Sequence, residues 1–423
     1  MRILLKNAII IDSESSHNGL KKDILIEGNT IKEISNSIKI SDDTKIVEDN
    51  NLYVSTGWFD CNVNFGEPGY EHIETIESGL NAAAKGGFTS VAVMPNTEPT
   101  IDNSSGIHFL REKSKEHIVD LFPIGALTKK CKGEELAESY DMVEAGAIAF
   151  SDNKNTVTNS DTMKLALLYN KELGKKVIAF PDTKDLSGGA HINEGIKSTQ
   201  LGLKGNPSLS EELQLSRDIS LMRYTKGNLH IQNISTHNSI SLIENAKKEG
   251  MQISCHVTPH HISLTEDELD DFDTLFKVKP PLRSKKDVEA LKLAIKKGII
   301  DAISSDHTPI NIEDKKCEFE YAKPGTIGLE SCFGVINREL EGDISIEEII
   351  NLINSNPKNI FGIKNTKIEE GEKANLTLFN PDIKWIFTEK DIMSKSKNSM
   401  FIKKELKGKV IGIYNKGRLL LNA

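Results

Sequence analysis

The sequence predicts an α/β protein: a closed (β/α)8 barrel of the TIM type, with a small β-sandwich built from both ends of the chain. Three observations predict it. Between residues 56 and 365, short apolar runs of strand length alternate with stripes of helical period, as in a parallel sheet with covering helices. Eight strand candidates occur there, the number that closes a barrel of this type. Residues 1–55 and 366–423 hold only short strands and turns, too few at either end to enclose a core, so the two ends are expected to pair.

In chain order, the first module has strands at 3–11, 23–27, 31–34 and 44–48, the second of them closed by the turn Gly28-Asn29. The barrel strands are expected around Phe59 and at 90–93, 119–123, 147–150, 177–180, 229–234, 252–257 and 302–305. Helical stripes fall between them, for example at 73–85, 161–172, 210–224, 239–248 and 286–297. Strands at 374–379 and 410–421, the latter carrying the turn Asn415-Lys416-Gly417, complete the terminal module. In such barrels chemistry sits at the C-terminal ends of the strands, so those ends are where function is sought.

Composition narrows the class. A chain of 423 residues, 38% hydrophobic and 27% charged, buries a large core as an ordinary globular protein does. No run of about 20 apolar residues is present, so no membrane span is expected. The first twelve residues lack a signal-peptide cleavage pattern and read as a strand. Net charge of −9 argues against general nucleic-acid binding. Five scattered cysteines (Cys61, Cys131, Cys255, Cys317 and Cys332) without a C-x-x-C pair point to a reducing, cytoplasmic compartment and away from a disulfide frame or a cysteine zinc site.

The run from Gly57 to Gly69 reads as a buried strand ending in a Gly-Pro-Gly-type turn, with Asn62 and Asn64 sharing one face because side chains alternate along a strand. Further blocks follow in order: 86–89, Met94-Pro95-Asn96-Thr97, 149–152, 234–236, Val257-Thr258-Pro259-His260-His261, Pro280-Pro281-Leu282-Arg283, Ser305-Asp306-His307-Thr308-Pro309 and 328–330. Together they resemble dihydroorotase, of the cyclic amidohydrolase superfamily of metal-dependent barrels, over essentially the entire chain.

The resemblance assigns a place to each site residue. In the family the first block is Asp-x-His-x-His-x-Arg-x-Pro-Gly, whose histidines hold zinc and whose arginine holds the substrate carboxylate. Here Asn62 and Asn64 stand at the histidine places and Gly66 at the arginine place. Asp152 matches the third ligand, Phe180 and Asn233 replace the histidines of strands five and six, and Asp306 keeps the position of metal ligand and general base. Among substrate positions, Asn96 matches, Ile310 replaces a histidine, and Lys279 replaces an asparagine.

Zinc in a catalytic site takes three protein ligands drawn from imidazole, thiolate and carboxylate. Two carboxylates on separate strands are too few, so no catalytic metal is expected. The resemblance then implies a dihydroorotase homologue of pyrimidine biosynthesis without activity. Chains of this kind serve as noncatalytic partners of aspartate transcarbamoylase, in homo- or hetero-oligomers, with no role for nucleic acid or membrane. The alternative is an active, zinc-dependent enzyme interconverting dihydroorotate and N-carbamoyl-L-aspartate, with Asp306 as base. A third possibility is a pocket that binds a small acid without chemistry.

Buried aspartates without a cation are costly, so Lys279 is expected to neutralise Asp152 or Asp306. His256, His260, His261 and His307 are expected to be structural. Asp306 and His307, being adjacent, are expected to face opposite ways. Loop 311–323 corresponds to a mobile active-site loop in the family, and is expected to cap an idle pocket or meet a partner.

Overall fold

The central strands are apolar along their whole length because both faces are covered, one by helices and one by the opposite side of the barrel. In the computed structural model, which describes residues 2–39 and 42–422, these strands are β1 (Trp58–Val63), β2 (Phe88–Val93), β3 (Asp120–Pro123), β4 (Ala149–Ser151), β5 (Lys176–Ala179), β6 (Leu229–Ile231), β7 (Ile253–Val257) and β8 (Ala302–Ile303). All eight expected strands are present, and neighbours pair in parallel within two arcs, β1-β2-β3 and β4-β5-β6-β7-β8.

Backbone bonds join the arcs into a barrel. Gly125 N donates to Ala149 O at 3.0 Å and Ile148 N to Pro123 O at 3.0 Å, which ties β3 to β4. Asn64 N donates to His307 O at 2.8 Å, which ties the end of β1 to the segment after β8.

Alternation sorts the strand side chains. Trp58, Val91, Val177, Leu229, Cys255 and Ile303 pack outward in the large core beneath the helices. Phe59, Cys61, Ala92, Met94, Ala149 and Ile178 pack with Phe361 in a separate cluster inside the barrel. By the same parity His230 and His256 point inward. The first barrel helix begins at Ile76, three residues later than its stripe suggests, because Thr75 and Ser78 form a reciprocal capping box.

The two chain ends pair as expected, but in one continuous eight-stranded sheet. Leu376–Phe379 of the C-terminal segment runs antiparallel to Tyr53–Thr56 of the N-terminal one. Register shifts between Leu5 and Ala8, and between Asn380 and Lys384, bend the sheet as bulges do, so it encloses its own core of Ile3, Ile10, Ile24, Val54, Leu376 and Tyr414. Among the described residues, no helix is long and apolar enough to cross a membrane.

Sheet and barrel meet at Trp58. Its ring lies 4.9 Å from Phe333, 5.4 Å from Phe379 and 6.0 Å from Phe88, and its indole N–H donates to Ser55 Oγ at 2.9 Å. Removing a buried ring of this size leaves a cavity and costs about 3–5 kcal/mol. Trp58→Ala is therefore expected to lower unfolding free energy by that amount, measured by urea denaturation.

Candidate functional site

The C-terminal mouth of the barrel is a buried polar network, in which the side-chain oxygens of Asn62, Asn153 and Gln232 have no hydrogen-bond partner among the described residues. Asn62, Asn233 and Asp306 are fully buried and Asn64 nearly so. At its centre the Lys154 ammonium lies 2.7 Å from Asp306 Oδ2, and Asn233 Nδ2 donates to Asp306 Oδ1 at 2.9 Å.

That one contact orients the rest. An ionised carboxylate only accepts hydrogen bonds, so the amide nitrogen of Asn233 must face Asp306 and its oxygen must face the other way. Asn233 Oδ1 then accepts from His256 Nε2 at 2.8 Å and from Asn62 Nδ2 at 3.2 Å. His256 therefore carries its proton on Nε2, and its Nδ1 accepts from His230 Nε2 at 2.8 Å. His230 Nδ1 in turn accepts from the Ser254 hydroxyl at 2.8 Å. Burial, with the nearby charge of Lys154, pushes His256 down to about 3, and burial beside His256 holds His230 well below its ordinary value. Both rings are neutral, as this chain of donors and acceptors requires.

Backbone geometry places these groups. Asn153, Asn233 and Asp306 have φ of 52°, 53° and 51°, the left-handed region that Asn and Asp tolerate best. The turn at Asn153 follows directly on β4 and sends Lys154 back across the mouth. Asn153 is itself held by Asn153 Nδ2 donating to Asn64 Oδ1 at 2.8 Å and by Gln232 Nε2 donating to its carbonyl at 2.6 Å. Asn64 also donates to Thr308 Oγ1 at 3.1 Å.

One expectation needs correction. Lys279 neutralises neither Asp152 nor Asp306: its ammonium lies 3.0 Å from Asp182 Oδ2 and 5.2 Å from the centre of the Phe180 ring. The cation of the mouth is Lys154, whose backbone carbonyl accepts from Lys279 at 3.3 Å. Asp152 does not join the network either. It turns to Thr128, accepting from the backbone N–H at 2.8 Å and from the hydroxyl. Burial pushes its carboxyl up to about 6, only partly offset by those bonds.

The positions matched to the family's substrate residues differ among themselves. A Cβ at Gly66 would sit 2.2 Å from Tyr70 O and 2.7 Å from Glu74 O, so no side chain fits there without moving the backbone. Ile310 is buried, with its backbone N–H bonded to Asn398 Oδ1 at 3.1 Å. Asn96 Oδ1 is buried without a hydrogen-bond partner among the described residues. A cavity of about 530 Å3 opens beside the mouth, lined by Asp182, His191, Lys277, Lys279 and Tyr321 among others, and none of Asn62, Asn64, Asn233 or Asp306 reaches it. Loop 311–323 closes its far side through the buried Lys277, which donates to Phe319 O at 2.7 Å and Glu320 O at 2.9 Å.

Of the histidines expected to be structural, His261 and His307 are bonded to the scaffold, while His260 Nε2 is buried without a hydrogen-bond partner among the described residues. His261 bonds Thr258 Oγ1 at 2.7 Å and Pro280 O at 3.2 Å. His307 faces away from Asp306, with Nε2 3.5 Å from Glu74 and Nδ1 accepting from Gly328 N at 3.3 Å. Lys154 and His230 escaped sequence reasoning. Inward parity on β6 would have flagged His230; nothing local announces Lys154 except its place two residues after Asp152 at a strand end.

Zinc does not fit this donor set. Of the mouth positions only Asp306 offers a strong ligand, both its oxygens are engaged, and the ammonium 2.7 Å away would repel a dication. Cys61, His230 and His256 place donor atoms within 4.8 Å of one another inside the barrel, but their ring nitrogens are committed to the hydrogen-bonded chain.

A family model described as "Dihydro-orotase-like" matches residues 52–239. The chain is 41% identical over 423 residues to a dihydroorotase of Caldicellulosiruptor saccharolyticus, spanning 99% of this chain and 98% of the relative. The chain belongs to the dihydroorotase family. A Geobacter metallireducens dihydroorotase is 39% identical, with 96% of each chain covered. Among solved structures, an L-hydantoinase (dihydropyrimidinase) from Arthrobacter aurescens superposes with a TM-score of 0.86 at 20% identity over 99% of this chain and 96% of its own. A D-hydantoinase from Thermus sp. gives 0.84 at 21%, over 99% and 95%. These two likenesses establish the amidohydrolase barrel fold of this dihydroorotase relative.

Removing one partner of a buried ion pair costs about 3–5 kcal/mol. Lys154→Met should destabilise the chain by that amount, and Lys154→Met with Asp306→Asn should recover most of it, read by denaturant unfolding. Asp152 has a second signature. A carboxyl raised in the folded state binds protons that the unfolded chain releases, so stability falls as pH rises from about 4 to about 6. Asp152→Asn should therefore gain up to about 3 kcal/mol over the natural chain at pH 7, a gain that vanishes near pH 4.

Proposed function

We propose that this chain is a noncatalytic member of the dihydroorotase family, serving pyrimidine biosynthesis in the cytoplasm as a partner of aspartate transcarbamoylase. The buried Lys154–Asp306 pair carries the reading. A general base must be free to take a proton from a bound water, within hydrogen-bond reach of it. Asp306 is fully buried, and its oxygens are held by an ammonium and an amide. The position of the carboxylate clamp is a glycine with no room for a side chain, and the nearby cavity does not touch Asp306. The choice of partner rests on the family's use of chains lacking these ligands.

The test is an assay of purified protein in both directions, dihydroorotate hydrolysis and N-carbamoyl-L-aspartate cyclisation, with and without added zinc. No turnover above the uncatalysed rate is expected, together with co-elution with aspartate transcarbamoylase from the same organism. Turnover that a chelator abolishes, with about one metal per chain, would replace this reading by that of an active dihydroorotase.

A further inference from the structure

We propose that the N-terminal end of the barrel, opposite the mouth, holds a binding site for a small phosphate ester with an apolar body. A cavity of about 490 Å3 opens there between the barrel and the terminal sheet. Ser90 and Asp120, near the starts of β2 and β3, and Lys175, just before β5, line it from the barrel, and Lys373 and Asn375 line it from the sheet side. The last helix, Ser355–Phe361, and the segment after it close the space. A cleft of this size at the junction of two modules is an ordinary setting for a small-molecule site.

Lys358, in that last helix, singles the cavity out. It lines the cavity and is only 3% exposed. An ammonium has three N–H donors. Among the described residues Lys358 has one hydrogen-bond partner, Gly57 O at 2.5 Å, and no ion pair. A buried ammonium short of acceptors and of an opposite charge is costly. Burial accordingly pushes Lys358 down to about 8, against the weaker pull of Asp120 and Asp12. An anion in the cavity would supply both the acceptors and the charge.

The polar atoms beside it are short of partners too. Gly57 N donates to Asn375 O at 2.8 Å, and a Cβ on Gly57 would lie 1.9 Å from Asn375 Oδ1, so Asn375 and Lys358 meet at this glycine. Asn375 Oδ1 and Thr366 Oγ1, both lining the cavity, are buried without a hydrogen-bond partner among the described residues. A carboxamide and a hydroxyl can each donate to a ligand oxygen.

Charge and lining fix the kind of anion. Lys175, Lys364 and Lys373 also line the cavity, and none of them is ion-paired among the described residues. Of the two carboxylates in the lining, Asp120 and Glu372, the first is already 2.9 Å from Lys416. Four lysines against two carboxylates make a local cationic excess in a chain of net charge −9, suited to the charge of about −2 on a phosphate monoester. Phe122, Ile148, Phe361 and Ile363 add an apolar surface that inorganic phosphate would leave uncovered. The proposal stands whether or not the chain hydrolyses dihydroorotate, because the site lies at the other end of the barrel.

Titration calorimetry of the full chain at pH 7 should give phenyl phosphate a Kd of roughly 1 mM or tighter, inorganic phosphate one at least about tenfold weaker, and phenol none. Phenyl phosphate should also raise the midpoint of thermal unfolding. Lys364→Glu combined with Lys373→Glu, both exposed and so without cost to the fold, should weaken binding at least about tenfold. Lys358→Met should abolish it with an unchanged circular dichroism spectrum; if that variant does not fold, the exposed pair decides. No binding of phenyl phosphate at about 10 mM would overturn the proposal, as would benzoate binding equally tightly, or an affinity that the exposed pair leaves unchanged. Binding lost through Lys279→Ala instead would place the anion beside the mouth and equally overturn it.

Discussion

A carboxylate at the convergence of eight strands cannot stay ionised without a cation, because the penalty for removing a charge from water is several kcal/mol even in a relaxed protein. In this chain Asp306 is fully buried there, and the cation is the ammonium of Lys154 at 2.7 Å. The rest of the mouth is arranged around that pair. One carboxylate oxygen goes to the ammonium, so the other must be met by a neutral donor, which Asn233 provides. Once the orientation of Asn233 is set, the protonation of His256 and then of His230 follows from donor and acceptor logic alone.

Asparagine suits this role in a way that histidine would not. A carboxamide offers a donor and an acceptor from one short side chain, so Asn62 can bond Asn233 and Asn153 can bond Asn64. Neutral imidazole with a free nitrogen invites a metal; a paired amide does not. The open space lies to one side of the mouth, over Lys279 and Asp182.

The blocks that carry the family likeness are largely those that hold the scaffold. Asp60 accepts from Ser304 Oγ at 2.5 Å, from Ser305 N at 2.9 Å and from Asn62 N at 3.0 Å, bridging β1 to the end of β8. Arg283 spans Ser235, Asn193 and the carbonyl of Asn206 at 2.9–3.0 Å, fastening three strand-end segments. Glu74 meets His307, Ser394 and the backbone of Lys395, tying the first motif to the C-terminal segment. Such contacts close the barrel whatever the chemistry at its mouth.

By itself the sequence determined the eight strands and their order, and the pairing of the chain ends. Those features are legible because hydrophobic period is a local property of a residue and its near neighbours. Only the tertiary structure decided that Lys154 and not Lys279 reaches Asp306, and that Asp152 turns to Thr128. Lys154 and Lys279 both sit on strand-end loops, within a side chain's length of several carboxylates. The direction each takes depends on a single backbone turn, such as the left-handed Asn153, and on which acids other strands bring within reach, and neither is encoded in spacing along the chain.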